Sequence, residues 1–231
     1  MPYIKITKDG PYLVYGVPQM VQETITPDEN GVSIRYTQGR SFEIKEIPTA
    51  LCRCGQSRNA PYCDGTHKQA NFDGTESASF EPILEGAEAI EGPNLTLMDN
   101  EKYCAFARFC DAGKRVWNLV LDGTPDSDKL AIREACDCPA GRLMMFDQQG
   151  KAIEPDHPVS IAVIEDGGLK ISGPLWLRGG IRVESEDGRS YEVRNRQTVC
   201  RCGYSDNKPF CNGAHASARF HAQTPPEGGE V

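Results

Sequence analysis

The stretch CRCGQSRNAPYCDGTH, residues 52–67, places three cysteines and one histidine within sixteen residues, and CRCGYSDNKPFCNGAH repeats the arrangement at 200–215. Both copies read C-x-C, eight residues, then C-x-x-x-H. Three thiolates and an imidazole satisfy either a tetrahedral zinc ion or one [2Fe-2S] cluster, which spreads four protein ligands over two irons. Counting ligands leaves both open. The spacing favours the cluster, because a tight C-x-C turn suits two sulfurs on one iron and a Cys/His pair four apart suits the other, whereas zinc sites more often use C-x-x-C knuckles.

The repeat extends upstream of the ligands. GPYLVYG (10–16) and GRSFEIKEIPTALCRCG lead into the first cluster; GPLWLRGG (173–180) and GRSYEVRNRQTVCRCG lead into the second. Val32, Ile34 and Tyr36 alternate with polar neighbours after Asn30-Gly31, and Phe42 and Ile44 lead on toward the cysteines. Ile181, Val183 and Ser185 alternate before the Asp187-Gly188 turn, and Tyr191 and Val193 resume the pattern, so a small β-sheet should carry each site. After the third cysteine, Asp64-Gly65 and Asn212-Gly213 precede the histidine, and Asp and Asn both suit the start of a short helix.

Between the copies lies a different segment. It carries YCAFARFC (103–110), an apolar VWNLVL (116–121) read as a strand, the loop DGTPDSD, and a helix KLAIREAC running into CDCPAGRL, where Pro139 should stop it near Cys138. The tail TPPEGGEV is a poor candidate for order.

The 231 residues carry a formal charge of -8 and no lysine/arginine cluster, which argues against nucleic acid as a partner. No run approaches the roughly 20 apolar residues of a membrane span, and the opening MPYIKITKDG has neither a secretory nor a transit character. The expectation is a soluble, cytoplasmic protein. In a reducing compartment ten cysteines in tight pairs read as metal or redox groups rather than disulfides. Of the remaining histidines, His157 between prolines reads as a solvated loop residue. Trp117 and Trp176 read as core, and no dinucleotide or phosphate-loop pattern is present. Arg53 and Arg201, each between paired cysteines, read either as charges set beside an anionic cluster or as solvated side chains.

The two motifs resemble the CDGSH iron-sulfur domain of the NEET family: C-x-C, a Ser three residues on, a Pro two before the third Cys, then C-D-G-(Ser/Ala/Thr)-H. The first copy matches at Cys52, Cys54, Ser57, Pro61, Cys63, Asp64, Gly65, Thr66 and His67. The second matches at Cys200, Cys202, Ser205, Pro209, Cys211, Gly213, Ala214 and His215, with Asn212 in place of Asp. The resemblance implies two [2Fe-2S] clusters, one on Cys52, Cys54, Cys63 and His67, the other on Cys200, Cys202, Cys211 and His215, each with a solvent-near, labile histidine. It also implies motif-bearing β units paired about a twofold axis, here within one chain. Cys104-x5-Cys110 with Cys138-Pro139 is similar, more distantly, to a divergent single-cluster ferredoxin-type domain, which leaves Cys104, Cys110, Cys136 and Cys138 open as third-site ligands or buried thiols.

The expected fold is therefore α+β and β-rich, an internal pseudo-dimer of units 1–84 and 169–231 around a ferredoxin-like middle domain, 85–168, in a chain that is monomeric with an internal pseudo-twofold. The expected function is non-enzymatic: single-electron transfer to a redox partner, or cluster transfer to an apo-protein acceptor. The alternatives are a zinc-stapled interaction module and a redox subunit of a larger enzyme.

Overall fold

The computed structural model describes residues 1–44 and 47–224. Residues 225–231, most of the tail expected to lack order, lie outside the described residues. The first half contributes β1 (Tyr3–Ile6), β2 (Tyr12–Tyr15), β3 (Met20–Pro27), β4 (Ser33–Phe42) and β5 (Thr49–Leu51). The middle contributes β6 (Glu88–Glu91), β7 (Leu95–Asp99), α1 (Val116–Asp122), α2 (Pro125–Cys136), β8 (Leu143–Asp147) and β9 (Ala152–Ile153). The last part holds β10 (Ser160–Asp166), β11 (Ile171–Arg178), β12 (Arg182–Glu184), β13 (Arg196–Val199) and α3 (Ala214–Ser217).

The two halves exchange strands. One sheet runs β12-β1-β2-β5 and a second runs β13-β11-β10-β3-β4. In the first, β1 and β2 are antiparallel, β2 and β5 are antiparallel, and β12 from the other half adds parallel to β1, with Ile4 opposite Val183. In the second, β10, β11 and β13 repeat that antiparallel order, and β3 adds parallel to β10, with Ile161 opposite Met20. Each sheet is thus completed by a strand of the opposite half, an internal pseudo-twofold. The second sheet draws on β10, which begins ahead of residue 169.

Alternation sets which faces are buried. Ile4, Ile6, Val14 and Leu51 of the first half meet Ile161, Val163, Leu175, Leu177 and Val199 of the second in one continuous core. At about 25 cal/mol per Å² of apolar surface, a shared core of this kind makes the halves interdependent for stability. Trp176 is buried, as expected.

The middle segment forms its own antiparallel sheet, β6-β7-β8-β9, packed against α1 and α2 around Leu97, Leu119, Val120, Ala131 and Met145. VWNLVL is helical, not a strand: Val116, Leu119 and Val120 are its buried residues at helical spacing, and Gly123 in the left-handed region closes it. Trp117 is half-buried and its indole Nε1 donates to Asp99 Oδ2 at 3.0 Å. The second helix starts on the Thr124 cap, with Pro125 in its first turn, and ends at Cys136, three residues before Pro139.

Candidate metal centres

Each C-x-C follows directly on a strand, Cys52 after β5 and Cys200 after β13. The loops close in the same way. Cys52 N donates to Pro61 O at 2.8 Å and Cys63 N to Ala50 O at 2.9 Å; Cys200 N donates to Pro209 O at 2.8 Å and Cys211 N to Thr198 O at 3.0 Å. The motif serines act as internal ties, Ser57 Oγ donating to Tyr62 O and Ser205 Oγ to Phe210 O, both at 2.6 Å. Ala60-Pro61 and Lys208-Pro209 are both cis.

The loops bring their donors together in pairs. Cys52 and Cys54 Sγ lie 3.7 Å apart and Cys63 Sγ lies 3.3 Å from His67 Nδ1. In the second copy both separations are 3.5 Å, Cys200 to Cys202 and Cys211 to His215 Nδ1. Two donors on one tetrahedral metal, with bonds of about 2.0–2.3 Å, sit about 3.5 Å apart. Each pair therefore fits one metal, with Nδ1 as the imidazole donor. Among the described residues, no three His, Cys, Asp or Glu side chains are close enough to hold a single ion.

The partner thiol, helped by backbone N–H groups, favours thiolate at one sulfur of each C-x-C. The hydrogen bond from Cys54 lowers the Cys52 thiol to about 6, against the opposing effect of burial, and the N–H groups of Ser57 and Gly55 add to it. Cys202 does the same for Cys200, also to about 6, with Ser205 and Gly203. Such a nest of N–H donors suits an anionic, sulfur-ligated group. The two nests are back to back: a Cβ on Gly55 would lie 2.5 Å from Cys202 O, and one on Gly203 would lie 2.8 Å from Cys54 O.

The sites differ in exposure. Cys63 and His67 are partly exposed, and His67 lines an open concavity with Lys8, Asp9, Lys68, Phe72 and Asp73. Cys211 and His215 are only 2% and 3% exposed. The expectation of a solvent-near histidine in both copies is thus corrected for His215. The second site is covered on two sides: α3 packs on β11, and over Cys211 and Gly213 lies the loop Cys104–Cys110, whose Cys104 O and Phe106 Cβ would lie 3.1 and 3.4 Å from a Cβ on Gly213 and whose Ala105 packs on Cys211. Burial first, then the Arg201 cation, depresses His215 to about 4, leaving it in the neutral form that a metal ligand needs.

Asp64 and Asn212 hold equivalent places without being the helix caps themselves; Gly65 and Gly213 occupy that position. Asp64 Oδ1 accepts from Thr66 N at 3.0 Å and Asn212 Oδ1 from Ala214 N at 3.1 Å. Asp64 Oδ2 also accepts from Arg58 N at 2.9 Å, whereas the amide nitrogen of Asn can only donate.

Neither arginine of the C-x-C turns is solvated. Arg53 donates to Thr7 O, Gly10 O and Gly74 O, and Arg201 to Gly173 O, Ile164 O and Glu165. Arg53 ties its turn to the β1–β2 turn and the segment at Gly74, and Arg201 ties its own to β10 and β11. His157 is likewise no solvated loop residue; it packs edge-on against Trp176 at 5.2 Å, with its Nε2 buried.

Of the middle cysteines, Cys104, Cys110 and Cys138 line one small cavity. Cys136 points elsewhere, its Sγ 3.8 Å from Ile153 O. Sequence reasoning missed the Cys104–Cys110 cover, Tyr12 and the paired turn glycines. Only the glycines left a signal, as the residue after C-x-C in both copies.

Fold and donor chemistry together define two like candidate metal centres. Residues 9–68 and 172–216 each match the family model described as iron-binding zinc finger, CDGSH type, so both motif-bearing stretches are similar to that family. Searches of curated proteins and of solved structures found no match. Among the described residues, no helix is long and apolar enough to cross a membrane.

Proposed function

We propose that the chain holds two [2Fe-2S] clusters, on Cys52, Cys54, Cys63 and His67 and on Cys200, Cys202, Cys211 and His215, and serves as a carrier of single electrons or of clusters rather than as an enzyme. The observation that carries this is the arrangement of donors in separate pairs about 3.5 Å apart, two thiols in one and a thiol with Nδ1 in the other, with no three among the described residues converging on one ion. A single tetrahedral zinc needs all four donors around one point.

When bound, a [2Fe-2S] group supplies one-electron redox chemistry. The chain supplies the rest: paired C-x-C thiols and backbone N–H groups that favour thiolate, buried arginines that fix the turns, and at each site one imidazole in place of a fourth thiolate, which raises the potential over an all-cysteine site. The partner is a redox protein or an apo-protein acceptor. Visible absorption with iron, zinc and acid-labile sulfide analysis tests the reading: about four irons and four sulfides per chain are expected. A colourless protein with about two zinc ions and no sulfide would overturn it.

A further inference from the structure

Two sites built from the same motif differ in what stands over their histidines. His67 faces the open concavity lined by Lys8, Lys68 and Asp73. His215 is 3% exposed, and the loop Cys104–Cys110, a part of the chain that neither family match includes, packs over the neighbouring Cys211 and Gly213. That loop is fastened. Arg108 makes a forked ion pair with Asp166 at the end of β10, Nη1 to Oδ2 at 2.6 Å and Nη2 to Oδ1 at 3.2 Å, and the Asp166 side chain is 3% exposed. Asn207 Nδ2 adds a bond to Lys102 O at 3.1 Å, just ahead of the loop. Phe106 and Arg108 take positive φ, 55° and 64°, a shape that turns the loop back over Gly213.

We propose that the two centres divide the work: the Cys63/His67 edge is where a partner takes or delivers a cluster or electron, and the Cys104–Cys110 loop keeps the Cys211/His215 centre closed so that it retains what it holds. This rests on the two-cluster reading above. The physical reason is access. A metal leaves a histidine-ligated site only when a competing donor reaches it, and at the second site that requires local opening of a loop held by a partly buried, bidentate arginine-carboxylate pair. At the first site the imidazole edge already meets solvent. The partner for the first site is a protein that offers thiols of its own to a partly exposed Cys/His pair, across a surface of mixed charge.

The experiment follows iron release from the reduced holo-protein into excess bipyridyl, reading the ferrous chelate together with the loss of visible absorption. Two phases of equal amplitude are expected, about tenfold or more apart in rate. His67→Cys should slow the fast phase alone, and Phe106→Ala and Arg108→Ala should each quicken the slow phase about tenfold or more without touching the fast one. Phe106 is 42% exposed, so its replacement tests the cover even where loss of Arg108 disturbs folding. Release in a single phase, a fast phase that responds to His215→Cys instead, or a slow phase indifferent to Phe106→Ala would overturn the division. A protein with about four irons and single-phase release overturns the division alone; a protein without iron and sulfide overturns the cluster reading with it.

Discussion

The phenol of Tyr12 donates to the carbonyl oxygen of Cys200 at 2.8 Å, joining residues 188 apart in the chain, and shares its proton with Pro209 O at 3.1 Å. A buried side chain of the first half thereby fixes the ligand loop of the second. Burial holds its pKa well above the ordinary tyrosine range, so the donor stays protonated. Tyr12→Phe removes the donor and leaves two carbonyls without it, at a cost of about 1–2 kcal/mol. Denaturant unfolding should read that loss; an unchanged midpoint would mean that the bond does not join the halves.

Gly55→Ala and Gly203→Ala should be far more damaging than an ordinary glycine replacement. Both glycines have positive φ, 76° and 84°, and an added methyl would meet backbone at 2.5 and 2.8 Å. Gly150 provides the control, with φ 74° and nothing within 4 Å. Gly150→Ala should cost only about 1 kcal/mol, whereas the turn variants should cost more than about 3 kcal/mol or fail to assemble. Equal effects in urea titrations would show that backbone conformation alone, not the meeting of the turns, requires glycine.

Glu134 on α2 is 1% exposed, and burial raises it to about 7 from an ordinary 4.5 despite nearby Arg133 and the Gly113 N–H. A carboxyl with a raised folded pKa costs stability as pH climbs from the unfolded value through the folded one, so the penalty grows between about 4.5 and 7 and is complete above. Glu134→Gln should therefore stabilise the protein at pH 8.5 by about 1–2 kcal/mol, with the gain fading toward pH 5. A gain of the same size at both ends, measured by thermal unfolding, would contradict the assignment.

Cys136 faces Ile153 O and takes no part in the cavity of Cys104, Cys110 and Cys138. Cys136→Ser should leave iron, sulfide and the visible spectrum unchanged, with at most a small loss of stability. A drop in bound iron, read by metal analysis, would bring Cys136 into a site.

What the sequence made legible was local and repeated. The paired ligands, the serine ties and the strands leading to them can be read because each depends on neighbours a few residues away, twice over. VWNLVL was misread because an unbroken apolar run fits either element, and only packing on Ala131 and Leu143 selects the helix that buries Val116, Leu119 and Val120. Alternation in 181–185 marks a strand but does not say that its partner is Tyr3–Ile6. Arg53 and Arg201 carry no sequence sign of burial, since the carbonyls that receive them lie far off in the chain, on the β1–β2 turn and Gly74 for Arg53 and on β10 and β11 for Arg201. The inequality of His67 and His215 was illegible for the same reason: it is set by a loop about a hundred residues before the second histidine.

The exchange of β3 and β12 between halves has a further consequence. In a protein assembled from two separate chains, the occupancy of such a scaffold falls as the chains are diluted. Here one polypeptide carries both, so their association is a first-order event governed by effective concentration, and dilution leaves it intact. Tethering also frees the linker between the copies to grow on one side only, and residues that fasten over one centre need have no counterpart at the other.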